Sequence, residues 1–233
     1  MIFVTGDLHG EKEQIQEYIK VLSDCTKDDI LNVAGDFGIP WYSRALDMHY
    51  KDDKLLDLLR NAPFTTCFVD GNHENFDLLY SNPVIEKWGG RVHDLDGIYH
   101  LMRGEIFTME NQTIFTFGGA ASVDKQYRTP SISWWEQENS TSEEQSYAIE
   151  NLKKHNFNVD YVITHQAPKQ FIHIIRHLLF NKVNITCPTQ EFLTKLKPKL
   201  TFKKWYFGHY HDDINSPIDR ARLLFDEIVD LGT

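Results

Sequence analysis

Ile2-Phe3-Val4-Thr5-Gly6-Asp7-Leu8-His9 opens the chain with a short apolar run that stops at a glycine and delivers an Asp-x-His pair. Side chains in extended backbone alternate with period two, so Asp7 and His9 point to one side and can reach one ion at a strand end. Asp-x-His alone is common by chance, and its place in the chain gives it meaning. From Glu11 to Leu22, residues Ile15, Tyr18, Ile19 and Leu22 fall on one helical face. A second such unit follows, with a strand from Ile30 to Ala34, Gly35-Asp36 at its end, and a helix over roughly Lys51 to Arg60. A third strand, Phe64 to Val69, runs into Asp70-Gly71-Asn72-His73-Glu74. Three strand ends thus each deliver ligand-type side chains, and open α/β sheets place their ligand sites beyond the carboxyl ends of strands.

Further along, the stretches 98–102, 106–109 and 113–117 are β-rich, with a hairpin turn at Glu110-Asn111-Gln112. Residues 119–142 are rich in turn formers yet carry Tyr127, Arg128, Trp134 and Trp135. Ser142-Glu143-Glu144-Gln145 reads as the N-cap and first turn of a helix running toward His155. Tyr161-Val162-Ile163 is a buried-type strand ending at Thr164-His165, and Trp205-Tyr206-Phe207 another ending at Gly208-His209-Tyr210-His211. Between them lie one or two helices with Pro188 and Pro198 as breaks, and Leu223 to Val229 reads as a closing strand.

The Asp, Asn and His residues at these strand ends add up to one dinuclear metal site. Oxygen and imidazole donors without thiolate suit Mn, Fe, Zn, Co or Ni rather than a structural cysteine zinc, and Asp36 is the natural bridging carboxylate. The 233 residues, 41% of them apolar, suit one α/β domain over residues 1–233. No run of about 18 apolar residues exists for a membrane span, and the opening residues lack the features of a signal peptide, so a cytoplasmic location is expected. Cys25, Cys67 and Cys187, odd in number and widely spaced, read as reduced, buried thiols. A formal charge of -10 with 24 scattered basic residues argues against strong nucleic-acid binding. The oligomeric state is open.

In this order the motifs closely resemble those of the calcineurin-like metallophosphoesterase superfamily, in its small bacterial or phage form, over residues 7–211. The resemblance implies a four-layer α/β sandwich, two mixed β-sheets packed face to face with flanking helices and the metal site at one edge. It assigns Asp7, His9, Asp36 and His211 to a first ion and Asp36, Asn72, His165 and His209 to a second. The two divalent ions are expected to be manganese, with Fe, Zn, Ni, Co and Mg as alternatives. The implied activity is a phosphomonoesterase or phosphodiesterase, in which a metal-bound hydroxide attacks phosphorus in line and His73 is the general acid. The second motif continues as Phe37-Gly38-Ile39-Pro40-Trp41, without the second Asp and the Arg of the phosphoprotein phosphatase pattern. Asp70 or Glu74 is therefore expected to orient His73.

Candidate substrate residues are Arg44, close after Asp36, Arg128 as a phosphate clamp, and Trp134 and Trp135 as either a substrate wall or packing for the long loop. Two other readings stand beside the first. One is a nucleotide or dinucleotide phosphohydrolase, with a base stacked near Trp134. The other is a non-catalytic metal-binding scaffold for protein partners, which the complete ligand set disfavours. His173 and His177, four apart, read as ordinary helix surface, His49, His93, His100 and His155 as plain structural histidines, and Lys51-Asp52-Asp53-Lys54 as a helix start with a solvated face.

Overall fold

The apolar runs become strands in the computed structural model, which describes residues 1–44, 47–175 and 186–232. The first half holds β1 (Ile2–Thr5), α1 (Lys12–Val21), β2 (Ile30–Val33), α2 (His49–Arg60), β3 (Thr65–Phe68) and α3 (Phe76–Tyr80). There follow β4 (Val84–Lys87), β5 (Gly90–Asp94), β6 (Tyr99–Leu101), β7 (Ile106–Met109), β8 (Gln112–Phe117), α4 (Ser142–Lys154) and β9 (Tyr161–Thr164). The chain closes with α5 (Pro188–Leu196), β10 (Lys204–Phe207), β11 (Ile214–Ser216), β12 (Ala221–Leu223) and β13 (Val229–Asp230). Among the described residues the strands form two sheets, in the orders β13-β1-β2-β3-β6-β5-β4 and β11-β12-β10-β9-β8-β7. Each has a parallel centre (β1, β2, β3 and β6 in one; β12, β10, β9 and β8 in the other) with antiparallel strands outside it.

The period of two sorts each strand between layers. Val4 and Cys67 of the first sheet meet Ile114, Ile163 and Tyr206 of the second in one central core, so the sheets pack face to face. The intervening residues Leu31, Val33 and Phe68 point outward under Ile15, Tyr18, Leu56 and Leu59 of α1 and α2. Phe115, Phe117, Trp205 and Phe207 pack on the opposite side under Leu152 of α4 and Leu193 of α5. This is the expected four-layer sandwich.

Several boundaries differ from the sequence reading. The N-cap of α4 is Thr141, whose Oγ1 accepts from the Glu144 N–H while Glu144 reaches back to the Thr141 N–H. Leu223 to Val229 is not one strand. Asp213 accepts backbone N–H bonds from Phe225, Asp226 and Glu227, which turns the chain between β12 in one sheet and β13 in the other. The hairpin β4–β5 went unread, because three of the four β4 side chains are exposed and leave no apolar alternation. Pro188 begins α5 instead of breaking it, at the first turn where its missing N–H costs nothing. His173 lies in a turn, paired with Asp219 at 3.0 Å, and His177 lies outside the described residues. Cys67 and Cys187 are buried thiols as expected, whereas Cys25 is half-exposed.

His93 and His100 are more than filler. They face each other across β5 and β6 with Nδ1 atoms 3.0 Å apart, and His100 Nε2 lies 3.0 Å from Asp70 Oδ1. Burial, and then His100, lower the His93 pKa to about 4. The unfolded chain takes up this proton near pH 6.5, whereas the folded chain resists until about 4, so stability falls as pH drops through that window. His93→Gln is expected to flatten this fall in urea midpoints measured between pH 7 and 4; an unchanged slope would refute the assignment.

Candidate metal centre

Every motif residue lies at the carboxyl end of a parallel strand. Asp7 and His9 follow β1, Asp36 follows β2, Asn72 and His73 follow β3, His165 follows β9, and His209 and His211 follow β10. The two sheets thus contribute from both sides of one edge. Asp7, His9, Asp36 and His211 bring ligand atoms within 4.8 Å of one another, as do Asp36, His165 and His209. In the first cluster His9 Nε2 and His211 Nε2 are 3.2 Å apart, and His211 Nε2 is 3.1 Å from Asp7 Oδ2. In the second, His165 Nε2 lies 3.3 Å from both Asp36 Oδ1 and Asn72 Oδ1. Asp36 belongs to both clusters through different oxygens, Oδ2 toward His9 and Oδ1 toward His165.

Oxygen and imidazole lone pairs converging in this way fit two divalent cations of borderline or hard character. Electrostatics agree. Burial would push Asp36 up, but His165, and then His73 and His9, hold its carboxyl well below the usual range. Burial likewise opposes a charge on His165, yet Asp36 and Asp7 raise its pKa to about 10. Burial, and then His165, lower His209 to about 3. The site is built around positive charge, and a proton on His165 is the nearest substitute for a cation.

The backbone bends sharply here. His9, Asp36, His209 and His211 have φ of 50°, 44°, 74° and 53°, a region that L side chains avoid and that costs about 1 kcal/mol or more per residue. Gly71 and Gly208 allow the close approach. A Cβ on Gly71 would fall on Asp36 Oδ1, and one on Gly208 would fall on Asp7 Oδ1. A Cβ on Gly71 would also lie 2.3 Å from the Asp36 backbone N, so Gly71→Ala is expected to lose at least half of its bound metal and to melt well below the parent, by metal analysis and calorimetry; full metal content would overturn this.

Outer contacts aim the donors. His165 Nδ1 donates to the Ala34 carbonyl at 2.8 Å, leaving Nε2 directed at the site. The Asn72 amide donates to Ser122 Oγ, which donates to Glu138, so Oδ1 of Asn72 is turned toward His165. Glu74 accepts backbone N–H bonds from Phe37, Gly38 and Gly71, binding the second and third motifs together. Neither Glu74 nor Asp70 is hydrogen-bonded to His73. Asp70 is instead buried against Arg103 and His100, which corrects the expectation that one of the two orients His73.

The calcineurin-like phosphoesterase family profile matches residues 1–213. The chain belongs to that family. It is a metallophosphoesterase, a hydrolase of phosphoric esters. No curated protein matches it significantly. Among solved structures it is similar to the phosphopantetheinyl hydrolase of Mycobacterium tuberculosis, at 16% identity and TM-score 0.44 over 96% of this chain and 87% of that one. It is also similar to the sulfate thiohydrolase SoxB of Thermus thermophilus, at 9% identity and TM-score 0.42 over 97% of this chain and about half (51%) of that one. Among the described residues no helix is long and apolar enough to cross a membrane.

Around this metallophosphoesterase centre the sequence-read substrate residues part company. His73 donates its backbone N–H to Asp36 Oδ1 at 2.7 Å, and its ring is half-buried 5.0 Å from that of His9. Arg128, anchored by Asp124 at 2.7 Å and the Ser133 carbonyl, brings Nη2 to 3.1 Å from His73 Nε2. Burial lowers the His73 pKa; Asp36 opposes this and Arg128 reinforces it. Trp135 is core, 4% exposed, edge-on to Trp41 and donating to Asp77. Trp134 lies beneath Lys125, whose Nζ is 3.9 Å from the ring. Arg44 is exposed and lines a depression with Tyr42, His49 and Asp52, which adjoins through Tyr42 and Asp52 the cavity that His9 and His73 line.

Proposed function

We propose that this metallophosphoesterase hydrolyses a phosphomonoester or phosphodiester at a dinuclear centre in which Asp36 bridges the ions and His73 donates the leaving-group proton. The observation that carries the reading is the sharing of Asp36 between two donor clusters, one on each oxygen, with the His73 ring beside them. Asp7, His9, Asp36 and His211 would hold one divalent ion, and Asp36, Asn72, His165 and His209 the other; manganese is compatible with this mixed oxygen and imidazole set, as are iron, zinc, nickel and cobalt. Such ions supply an activated water and neutralise phosphate oxygens. Arg128 adds a fixed guanidinium that can take a further phosphate oxygen. His73 accepts from Arg128 in the resting site, and a phosphate that draws Arg128 away frees the imidazole to take up from solvent the proton that it then passes to the leaving oxygen. A cytoplasmic location accords with this reading.

The test is turnover by metal-stripped protein reloaded separately with Mn, Ni, Co, Zn and Mg, with p-nitrophenyl phosphate, bis-p-nitrophenyl phosphate and an alkyl phosphate as substrates. His73→Ala is expected to lower the rate on the alkyl ester by about 100-fold or more, since an alkoxide cannot leave without a proton. The loss on p-nitrophenyl phosphate should be smaller, because p-nitrophenolate leaves unprotonated. Equal losses on both would remove His73 from the acid role, and the ratio of monoester to diester turnover fixes the ester class.

A further inference from the structure

A cavity of about 380 Å³ is lined by His9 and His73 on the candidate metal centre and by Trp41, Tyr42 and Leu55. Its size is that of a small-molecule subsite. Two glycines with left-handed backbone, Gly10 at φ 65° and Gly38 at φ 72°, line it, and a Cβ on Gly38 would lie 2.9 Å from the His9 backbone.

The aromatic wall is fixed, not draped. Asp52, 5% exposed, turns back from α2 so that its Oδ2 accepts the N–H of Trp41 at 2.8 Å and of Tyr42 at 2.6 Å. Asn75 donates to the Trp41 carbonyl at 2.9 Å, and the Trp41 indole meets the buried Trp135 edge-on at 5.5 Å. Asp52 thus departs from the solvated helix face expected of the Lys51–Lys54 cluster. Among the described residues the charges lining the cavity are Glu11 and Asp52 against Lys51, a balance that disfavours a second anionic group.

We propose that this cavity is the leaving-group subsite, and that the substrate is a phosphate ester of an uncharged, ring-bearing alcohol. The inference rests on the phosphohydrolase reading above. His73 and the ligand-type His9 line the same cavity as Trp41 and Tyr42, and the oxygen that His73 protonates belongs to the departing alcohol, so whatever follows that oxygen has Trp41 and Tyr42 as its neighbours. In the reaction water forms the new P–O bond, the bond between phosphorus and the alcohol oxygen breaks, and the electron pair on that oxygen takes the proton from His73. The ring gains apolar contact with the Trp41, Tyr42 and Leu55 side chains that line the cavity.

The experiment compares kcat/KM of the Mn-loaded enzyme for ethyl, benzyl and 4-carboxybenzyl phosphate, three alkyl esters that all require the proton from His73. Benzyl phosphate is expected to exceed ethyl phosphate about tenfold through ring burial, and the carboxylate is expected to cancel most of that gain. Trp41→Ala and Tyr42→Ala should each shrink the benzyl-to-ethyl ratio several-fold. Tyr42→Ala carries the test should loss of the Trp41–Trp135 contact impair folding. A benzyl-to-ethyl ratio near one, or a ratio unchanged in both variants, overturns the subsite while leaving the phosphohydrolase intact. Failure of all three esters, and of p-nitrophenyl and bis-p-nitrophenyl phosphate, with Mn, Ni, Co, Zn and Mg alike would instead strike down the phosphohydrolase reading and this inference with it.

Discussion

Asp36→Asn is expected to lower kcat/KM about a thousandfold and to cost the protein at least one of the two ions proposed for its donor clusters. The substitution is nearly isosteric, so its effect is chemical. Asp36 Oδ2 faces His9 and Oδ1 faces His165, and an amide can offer only one acceptor atom to these two clusters. If Oδ1 is kept as the acceptor for the His73 N–H, the NH2 group points at the first cluster and cannot bind a cation. If it is flipped, two N–H donors meet and the His73 backbone is displaced. A thousandfold is about 4 kcal/mol of transition-state stabilisation, the scale at which metal ions act on a phosphoryl centre. Metal analysis beside steady-state kinetics decides the matter: full turnover with two ions bound would refute the bridging role, whereas full metal with low turnover would make Asp36 a positioning group alone.

The candidate metal residues are legible in the sequence because each sits where local rules speak most clearly. A β-run that halts at Gly6, Gly35, Gly71 or Gly208 marks a strand end, and the Asp, Asn or His after it is delivered to the sheet edge. The sandwich came from the resemblance, since no local pattern says which of two sheets a strand will join. What stayed hidden depends on partners far along the chain. Asp52 looked solvated beside Lys51 and Asp53, and only the fold brings the Trp41 and Tyr42 N–H groups to it. Trp134 and Trp135 are adjacent and chemically alike, yet one is sealed in the core and the other lies beneath a lysine. Arg103, 33 residues from its partner Asp70, carried no motif at all.

That pair supports the second large effect. Arg103→Met is expected to destabilise the protein by about 3–5 kcal/mol, the usual cost of stranding one member of a buried ion pair. Arg103 is 5% exposed and donates to Asp70 Oδ2 from Nε at 2.9 Å and from Nη2 at 2.5 Å. Methionine fills similar volume but leaves the Asp70 carboxylate buried with only His100 beside it. Burial pushes Asp70 up, and Arg103 and His100 together hold it below the usual carboxylate range. In the parent protein the ionised pair therefore contributes stability at neutral pH that is lost as acid protonates Asp70. Without Arg103 burial wins and Asp70 takes a proton more readily, so the deficit of the variant should shrink as pH falls from 7 toward 5. Adding Asp70→Asn to Arg103→Met removes the stranded charge, and the double variant should recover part of the loss, a coupling that chemical denaturation measures directly. Strict additivity would mean that the pair does not act as a unit. Function should suffer too. Arg103 also donates to the Gln137 and Asn139 carbonyls, which flank Glu138, and Glu138 holds Ser122 against the Asn72 amide. The variant is therefore expected to lose the ion proposed for Asn72, His165 and His209 at a temperature below that of global unfolding, whereas simultaneous loss of both ions at the melting transition would confine Arg103 to stability.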